Sequence, residues 1–226
     1  MIGILRSTAI HPNEVFQEQV RSRGENNLMW LRRYLQQPDE ERSYLVLVGA
    51  NNPTAFRLRV AQSHMRHDML PSHWSHAMLL GALAIDDLGA TPVYEISLEP
   101  PHGFGFPPPT NGVQQGELRQ YRNPRQYPNI AVLGIAAAPE QVRAALQRFQ
   151  EQRPVLDALE LMLRWLAYVW GAARAGNPLH DGQGVLSAVM LEMVFGAVGF
   201  DLTPGLESRA SCPEVIWQTA KWWHEY

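Results

Sequence analysis

The chain has 226 residues, of which 19 are basic and 22 acidic, so its formal net charge is −3 with histidine neutral. A hydrophobic fraction of 46% against 18% charged residues is enough to bury a core without disulfides or a structural metal, which excludes an intrinsically disordered protein. The small acidic excess argues against nucleic acid as a partner, because phosphate binding needs clusters of uncompensated Lys and Arg. The single cysteine, Cys212, excludes an internal disulfide and a zinc site built on paired thiolates.

Neither a leader nor a membrane span is predicted. The first 15 residues contain too short an apolar run for a signal peptide. The longest apolar stretch, residues 155–173, is interrupted by Asp157, Glu160 and Arg164 and does not meet the requirement for a spanning helix. We therefore expect a soluble protein that is cytoplasmic, or exported by a route that reads no Sec signal.

The chain begins with a predicted helical extension over residues 1–40. Leucines recur at helical spacing within residues 26–37. Asn52 and Pro53 have the residue types of a helix cap and a first-turn position, so a further helix is predicted from there toward His67.

The middle of the chain predicts a sheet of four to five strands. The apolar runs bounded by turn residues are 44–50, 76–85, 93–98, 115–121 and 130–136. A short turn cluster joins the second run to the third, which favours an antiparallel pair. Residues 99–112 are rich in proline and glycine and are predicted to form a long surface loop.

The last third predicts helices again. They open at Pro139, Pro154 and Pro213, and residues 185–198 are apolar almost all round, as in a helix at the centre of a core. No linker or repeat divides the chain. We predict one α+β domain over residues 1–226, with a central antiparallel sheet packed against helices.

Four histidines within thirteen residues suggest one candidate site. His64 and His67 have the spacing to share a helix face and hold one edge of a metal ion, with His73 or His76 completing the set. The alternative is that these are surface and loop histidines, since no carboxylate or thiolate stands at a fixed spacing from them.

His76 and Glu95 suggest a second site. His76 begins one predicted strand, and Glu95 lies within the next. A histidine oriented by a carboxylate on the adjacent strand is the base and orienting part of a nucleophilic triad. A satisfied structural histidine is the alternative.

The order of motifs resembles the circularly permuted papain-like hydrolases of the NlpC type. WSHAMLL and VYEIS precede a proline-rich loop, two strands and helices, and a Gly-x-x-Ser-Ala helix start is followed by GFDLTPG. The resemblance runs from residue 44 to the C-terminus and implies a papain-like fold in which the histidine strand precedes the nucleophile helix. It matches the catalytic histidine to His76, the third polar member to Glu95 and the nucleophilic cysteine to Leu186.

Such relatives are hydrolases without a cofactor that cleave amide bonds in peptides, peptidoglycan stem peptides or acyl conjugates, and some are bacterial toxins. Leu186 departs from their pattern, because an alkyl side chain cannot replace a thiolate. Three explanations stay open: a natural pseudoenzyme, an inactivating substitution, or another nucleophile. Ser187 is rotated by about 100° on the helix and is expected to point away from the cleft. Cys212 precedes a predicted helix start, where the dipole would favour a thiolate.

Aromatic side chains complete the candidate set. Trp74 adjoins the histidine motif, and Phe104 and Phe106 stand in the proline-rich loop, so all three are candidates for substrate contact. The same loop and the C-terminal KWWHEY also fit a docking surface for another protein. The sequence therefore leaves three functions open: an inactive amidase or peptidase domain, a protein-interaction module on the same fold, or a histidine metal site.

Overall fold

The computed structural model describes residues 2–7, 21–99, 109–152 and 158–225. The strands are β1 (Ile2–Ser7), β2 (Ser43–Gly49), β3 (His76–Leu80), β4 (Pro92–Glu95), β5 (Gln114–Glu117) and β6 (Asn129–Ile135). The α-helices are α1 (Asn27–Leu35), α2 (Pro53–Ala61), α3 (Pro139–Glu151), α4 (Ala158–Trp170), α5 (Leu186–Gly196) and α6 (Pro213–Glu225). Of the helices in these ranges, none has the length and hydropathy to cross a membrane.

The strands form one sheet in the order β1-β6-β2-β3-β4-β5, and every neighbouring pair is antiparallel. This confirms the predicted α+β fold with a central antiparallel sheet. The predicted count of four to five strands is too low, because residues 2–7, expected within a helical extension, pair with β6. The edge of β6 offers backbone N–H and C=O groups to an extended segment, so tertiary pairing overrides the weak local signal.

Two predicted strands are shorter in the structure. β3 ends at Leu80 rather than at residue 85. The second half of the strand predicted over residues 115–121 is replaced by a 3₁₀ helix, Leu118–Tyr121. Strand β4 lies between β3 and β5 and has only four residues. If β3 or β5 were longer, the additional residues would have backbone N–H and C=O groups without a partner on β4.

Both faces of the sheet are covered. Successive side chains of a strand point to opposite faces. In β2, Leu45 and Leu47 therefore join a larger core with residues of α2 to α6. Val46 and Val48 join a smaller core that contains Trp30 and other residues of α1. This burial on two sides explains why the central strand is apolar at nearly every position.

For α2, the observed start of the helix matches the prediction from the sequence more closely than the observed end does. The side chain of Asn52 accepts a hydrogen bond from the Ala55 N–H at 2.7 Å, and Pro53 occupies the first turn of α2. The helix stops before His67, because the buried Gln62 side chain donates to the carbonyls of Leu58 and Trp74 and draws the chain into a turn. The predicted central helix is confirmed as α5, whose residues are almost all buried.

Candidate functional site

His76 and Glu95 lie on adjacent strands, and their side chains are in contact. The register of β3 and β4 pairs Leu79 with Tyr94 and Leu80 with Val93, which places His76 and Glu95 diagonally on one face. The His76 Nε2 atom contacts the Glu95 Oε2 atom. Both side chains are largely shielded from solvent, with 14% and 5% of their areas exposed. The predicted neighbouring positions are therefore in direct contact.

Tyr121 completes this group, and the sequence carried no signal for it. Its hydroxyl lies 2.6 Å from Glu95 Oε1 and 2.7 Å from Oε2, and donates its proton to the carboxylate. Tyr121 ends the 3₁₀ helix Leu118–Tyr121, and its ring centroid is 4.9 Å from that of Tyr127. The contact joins residues 26 positions apart, which no local pattern predicts.

The carboxylate of Glu95 is held in its charged form. Burial by itself raises the pKa of Glu95, but the charge and hydrogen bond of His76 and the hydrogen bond from Tyr121 outweigh it, so the net pKa is lowered. Burial and the neighbouring Glu95 carboxylate raise the pKa of Tyr121 well above its ordinary value. At neutral pH the tyrosine is therefore a donor and Glu95 an acceptor.

The group opens into a cavity of about 180 Å³. Glu99 also lines this cavity, where its carboxylate accepts hydrogen bonds from Thr54 Oγ1 at 2.5 Å and Asn52 Nδ2 at 3.1 Å. No lysine or arginine is among the described lining residues. With two carboxylates in its wall, the cavity favours ligands that present hydrogen-bond donors or a positive charge.

Leu186 is not brought against the His76 and Glu95 pair. The start of α5 does lie beside β3, because the Ser187 hydroxyl accepts a hydrogen bond from the Ala77 N–H at 3.4 Å. The Leu186 side chain, however, is buried in the larger core with Ala77 and is not among the residues that line the cavity. Since His76 and Ala77 point to opposite faces of the sheet, the side chain of Leu186 lies on the face away from the imidazole.

Cys212 lacks the character of a nucleophile that its position before α6 suggested. Its side chain is fully buried, and burial raises the pKa of the thiol to about 12. A thiol with this pKa is protonated at neutral pH and is inert. Cys212 belongs to the larger core and does not line the cavity of His76.

The three aromatic candidates for substrate contact have different outcomes. Trp74 is fully buried in the larger core, where its ring centroid is 5.0 Å from that of Trp217, and it does not line the cavity. Its role is therefore to pack the protein interior. Phe104 and Phe106 lie outside the described residues.

The predicted histidine metal cluster is not formed. Within the described ranges, no group of three or more His, Cys, Asp or Glu side chains is arranged to hold a metal ion. His64 meets the ring of His180 rather than that of His67. The helix that would have aligned His64 with His67 ends at Ala61, which removes the common face that the spacing required.

A second cavity, of about 300 Å³, lies at the opposite end of β3. Its wall is mostly apolar and includes Leu79, Leu83 and Val142. Its charged lining residues include Asp39 and Arg42, which form an ion pair with each other near the surface. The smaller cavity, with a buried imidazole, carboxylate and phenol in contact, is the better candidate for chemistry or specific binding.

Comparison of the chain with protein-family models, curated proteins and solved structures finds no match. The site must therefore be interpreted from its own geometry.

Proposed function

We propose that this chain is an α+β domain that binds a peptide or related amide at the His76 cavity and does not hydrolyse it. Descent from NlpC-type hydrolases is a separate hypothesis with its own test below. The observation that carries the proposal is the His76, Glu95 and Tyr121 group, which opens into a cavity with no thiol in its described wall. His76 and Glu95 have the arrangement of a base and its orienting partner, and no cysteine is among the described residues that line the cavity.

The bonding within the group supports binding without turnover. Because Nε2 of His76 contacts Glu95, Nδ1 is the ring nitrogen left for a ligand. A general base accelerates amide hydrolysis only when it activates a nucleophile within hydrogen-bond reach. Leu186 supplies no such atom, and Cys212 is buried elsewhere.

The charge of the cavity supports a ligand rich in donors. Peptide N–H groups and a free amino group would find acceptors in the carboxylates of Glu95 and Glu99. A purely anionic ligand would be repelled by the carboxylates of Glu95 and Glu99. Amide-bearing peptides and peptidoglycan stem peptides have the required donors.

Binding at this cavity is tested by titrating the protein with short peptides and soluble peptidoglycan fragments. We expect the imidazole NMR signals of His76 to shift, and the variant H76Q to weaken binding at least tenfold because it loses a charge-assisted partner. Mass spectrometry should find the added ligand intact. The variant H67Q, at an exposed histidine outside the cavity, is the matched control. Cleavage by the unchanged protein, or equal binding by H76Q, would contradict the proposal.

Descent from cysteine hydrolases is tested by the variant L186C. If the start of α5 once carried the nucleophile, the L186C variant should react with iodoacetamide and hydrolyse an amide substrate. The rates of both reactions should be lower in the double variant L186C/H76Q. A folded L186C protein that neither reacts nor hydrolyses would count against the descent. Because the Leu186 side chain lies on the sheet face away from His76, the observed geometry predicts this negative result.

Exposed tryptophans favour a second candidate function, a protein-interaction module. On α6, Trp222 is 54% and Trp223 38% exposed, and their ring centroids are 4.7 Å apart. Exposed tryptophan pairs are typical of protein contacts. Capture of a partner that depends on these two residues, or on residues 100–113, and not on His76 would favour this alternative.

A further inference from the structure

Two histidines far apart in the sequence meet on the surface away from the His76 cavity. His64 lies in the 3₁₀ helix Ser63–Met65 that follows α2, and His180 lies in the 3₁₀ helix Pro178–Asp181. Their ring centroids are 4.7 Å apart, and the ring planes meet at 70°. Neither residue lines the cavity of the proposed function.

The backbone around the two rings is fixed by hydrogen bonds. The Asn177 side chain donates from Nδ2 to the Ala61 carbonyl at 2.8 Å, which ties the turn before His180 to the end of α2. The Asn177 Oδ1 atom accepts from the Leu179 N–H at 3.1 Å and caps the 3₁₀ helix. The two segments are therefore held together independently of the histidine rings.

The rings have the properties of metal ligands. His64 is half-buried and His180 exposed, so an ion has access from solvent while one ligand is held by the protein. Imidazole nitrogens are common ligands of divalent transition metals. Among the described residues, the His180 ring makes no hydrogen bond that would compete for its nitrogens.

We propose that His64 and His180 together bind one divalent transition-metal ion of the imidazole-preferring class, Cu²⁺, Ni²⁺ or Zn²⁺, with solvent at the remaining positions. Metal–nitrogen distances of about 2.0–2.1 Å require two rings whose centres lie several ångströms apart. The observed centroid distance of 4.7 Å between His64 and His180 is of this size. Two protein ligands define an open site of moderate affinity.

The test uses the full chain titrated with CuCl₂, NiCl₂ and ZnCl₂, and with MgCl₂ for comparison. We expect one ion per chain, Cu²⁺ binding more tightly than Ni²⁺ or Zn²⁺, and no competition from Mg²⁺, which prefers oxygen ligands. The electron paramagnetic resonance spectrum of bound Cu²⁺ should show coupling to two imidazole nitrogens.

Variants separate this site from general surface binding. H64Q and H180Q should each weaken Cu²⁺ binding at least tenfold and remove one nitrogen coupling, whereas H67Q should change the affinity less than twofold. Because His180 is exposed, H180Q is expected to fold even if H64Q does not. Unchanged affinity in H180Q, or an equal loss in H67Q, would overturn the proposal.

Discussion

At the scale of single residues, the Tyr121 hydroxyl stabilises a buried charge. Glu95 is only 4% exposed, and its two oxygens lie against Tyr121 and His76. A buried carboxylate that loses a donor bears the desolvation cost without full compensation. The hydroxyl is thus as important to the site as the contact between His76 and Glu95, which the sequence predicted as a base and its orienting partner.

We predict that Y121F lowers the free energy of unfolding by about 1.5–3 kcal/mol at pH 7, because a hydrogen bond to a buried charged group is lost. Urea denaturation measures the loss. Y127F is the matched control, since among the described residues the hydroxyl bonded to Glu95 is that of Tyr121 and not that of Tyr127; Y127F should cost less than about 0.5 kcal/mol. An equal cost for both variants would show that ring packing, and not the hydroxyl, supports the site.

At the scale of elements, α5 is joined to the segment after it by an acidic contact. Glu192 Oε1 accepts from the Leu202 N–H, and Oε2 accepts from the Thr203 hydroxyl, both at 3.1 Å. Burial, and a hydrogen bond to the neighbouring Asp201 carboxylate, raise the pKa of Glu192 to about 7. The helix is therefore held to this segment most firmly when the carboxyl is protonated.

This contact predicts a pH dependence of stability. A carboxyl whose pKa is higher in the folded than in the unfolded state favours folding at low pH, and that contribution is lost as the pH rises from about 4.5 to about 7. E192Q keeps an uncharged donor toward Asp201, so its free energy of unfolding at pH 8 should exceed that of the unchanged protein by about 1–3 kcal/mol. Denaturation from pH 4 to pH 8 measures both effects. The exposed variant E151Q should keep the original profile, and a profile unaltered by E192Q would refute the assignment.

At the scale of the whole molecule, a buried polar network joins the segment that follows α2 to the start of α6. The fully buried Glu214 accepts from Ser72 Oγ at 2.6 Å, and its Oε1 atom lies 3.3 Å from Arg66 Nη1. The Glu214 N–H donates to the Gln62 side chain at 2.9 Å. Residues about 150 positions apart are thereby fixed to each other.

We predict that E214A lowers the free energy of unfolding by about 1–3 kcal/mol, because the buried Ser72 hydroxyl and Arg66 guanidinium lose an acceptor while Asp68 still pairs with Arg66. Chemical denaturation measures this. The control is E160A, which breaks the exposed pair with Arg164 on α4 and should cost less than about 0.5 kcal/mol. Equally small losses of unfolding free energy in E214A and E160A would show that the Glu214 network does not stabilise the fold.

Local signals were sufficient for several elements and for half of the site. The capped start of α2 at Asn52, the buried strand β2 and the central helix α5 follow from patterns that act over a few residues. The contact of His76 with Glu95 follows from two neighbouring strands joined by a short connection. Strand β1 was missed, because its pairing with β6 depends on an edge more than 120 residues away in the chain.

Local sequence patterns were enough to predict the secondary-structure class and the antiparallel pair that carries His76 and Glu95, and position 186 has no thiol. Long-range packing sets the face of the sheet that each side chain occupies, so it separates Leu186 from the imidazole and brings Tyr121 to the carboxylate. The ring next to His64 is also that of His180, and not that of His67 as the sequence spacing suggested. The physical reason is that helix caps and apolar periodicity act between near neighbours, whereas these contacts depend on how distant segments pack together.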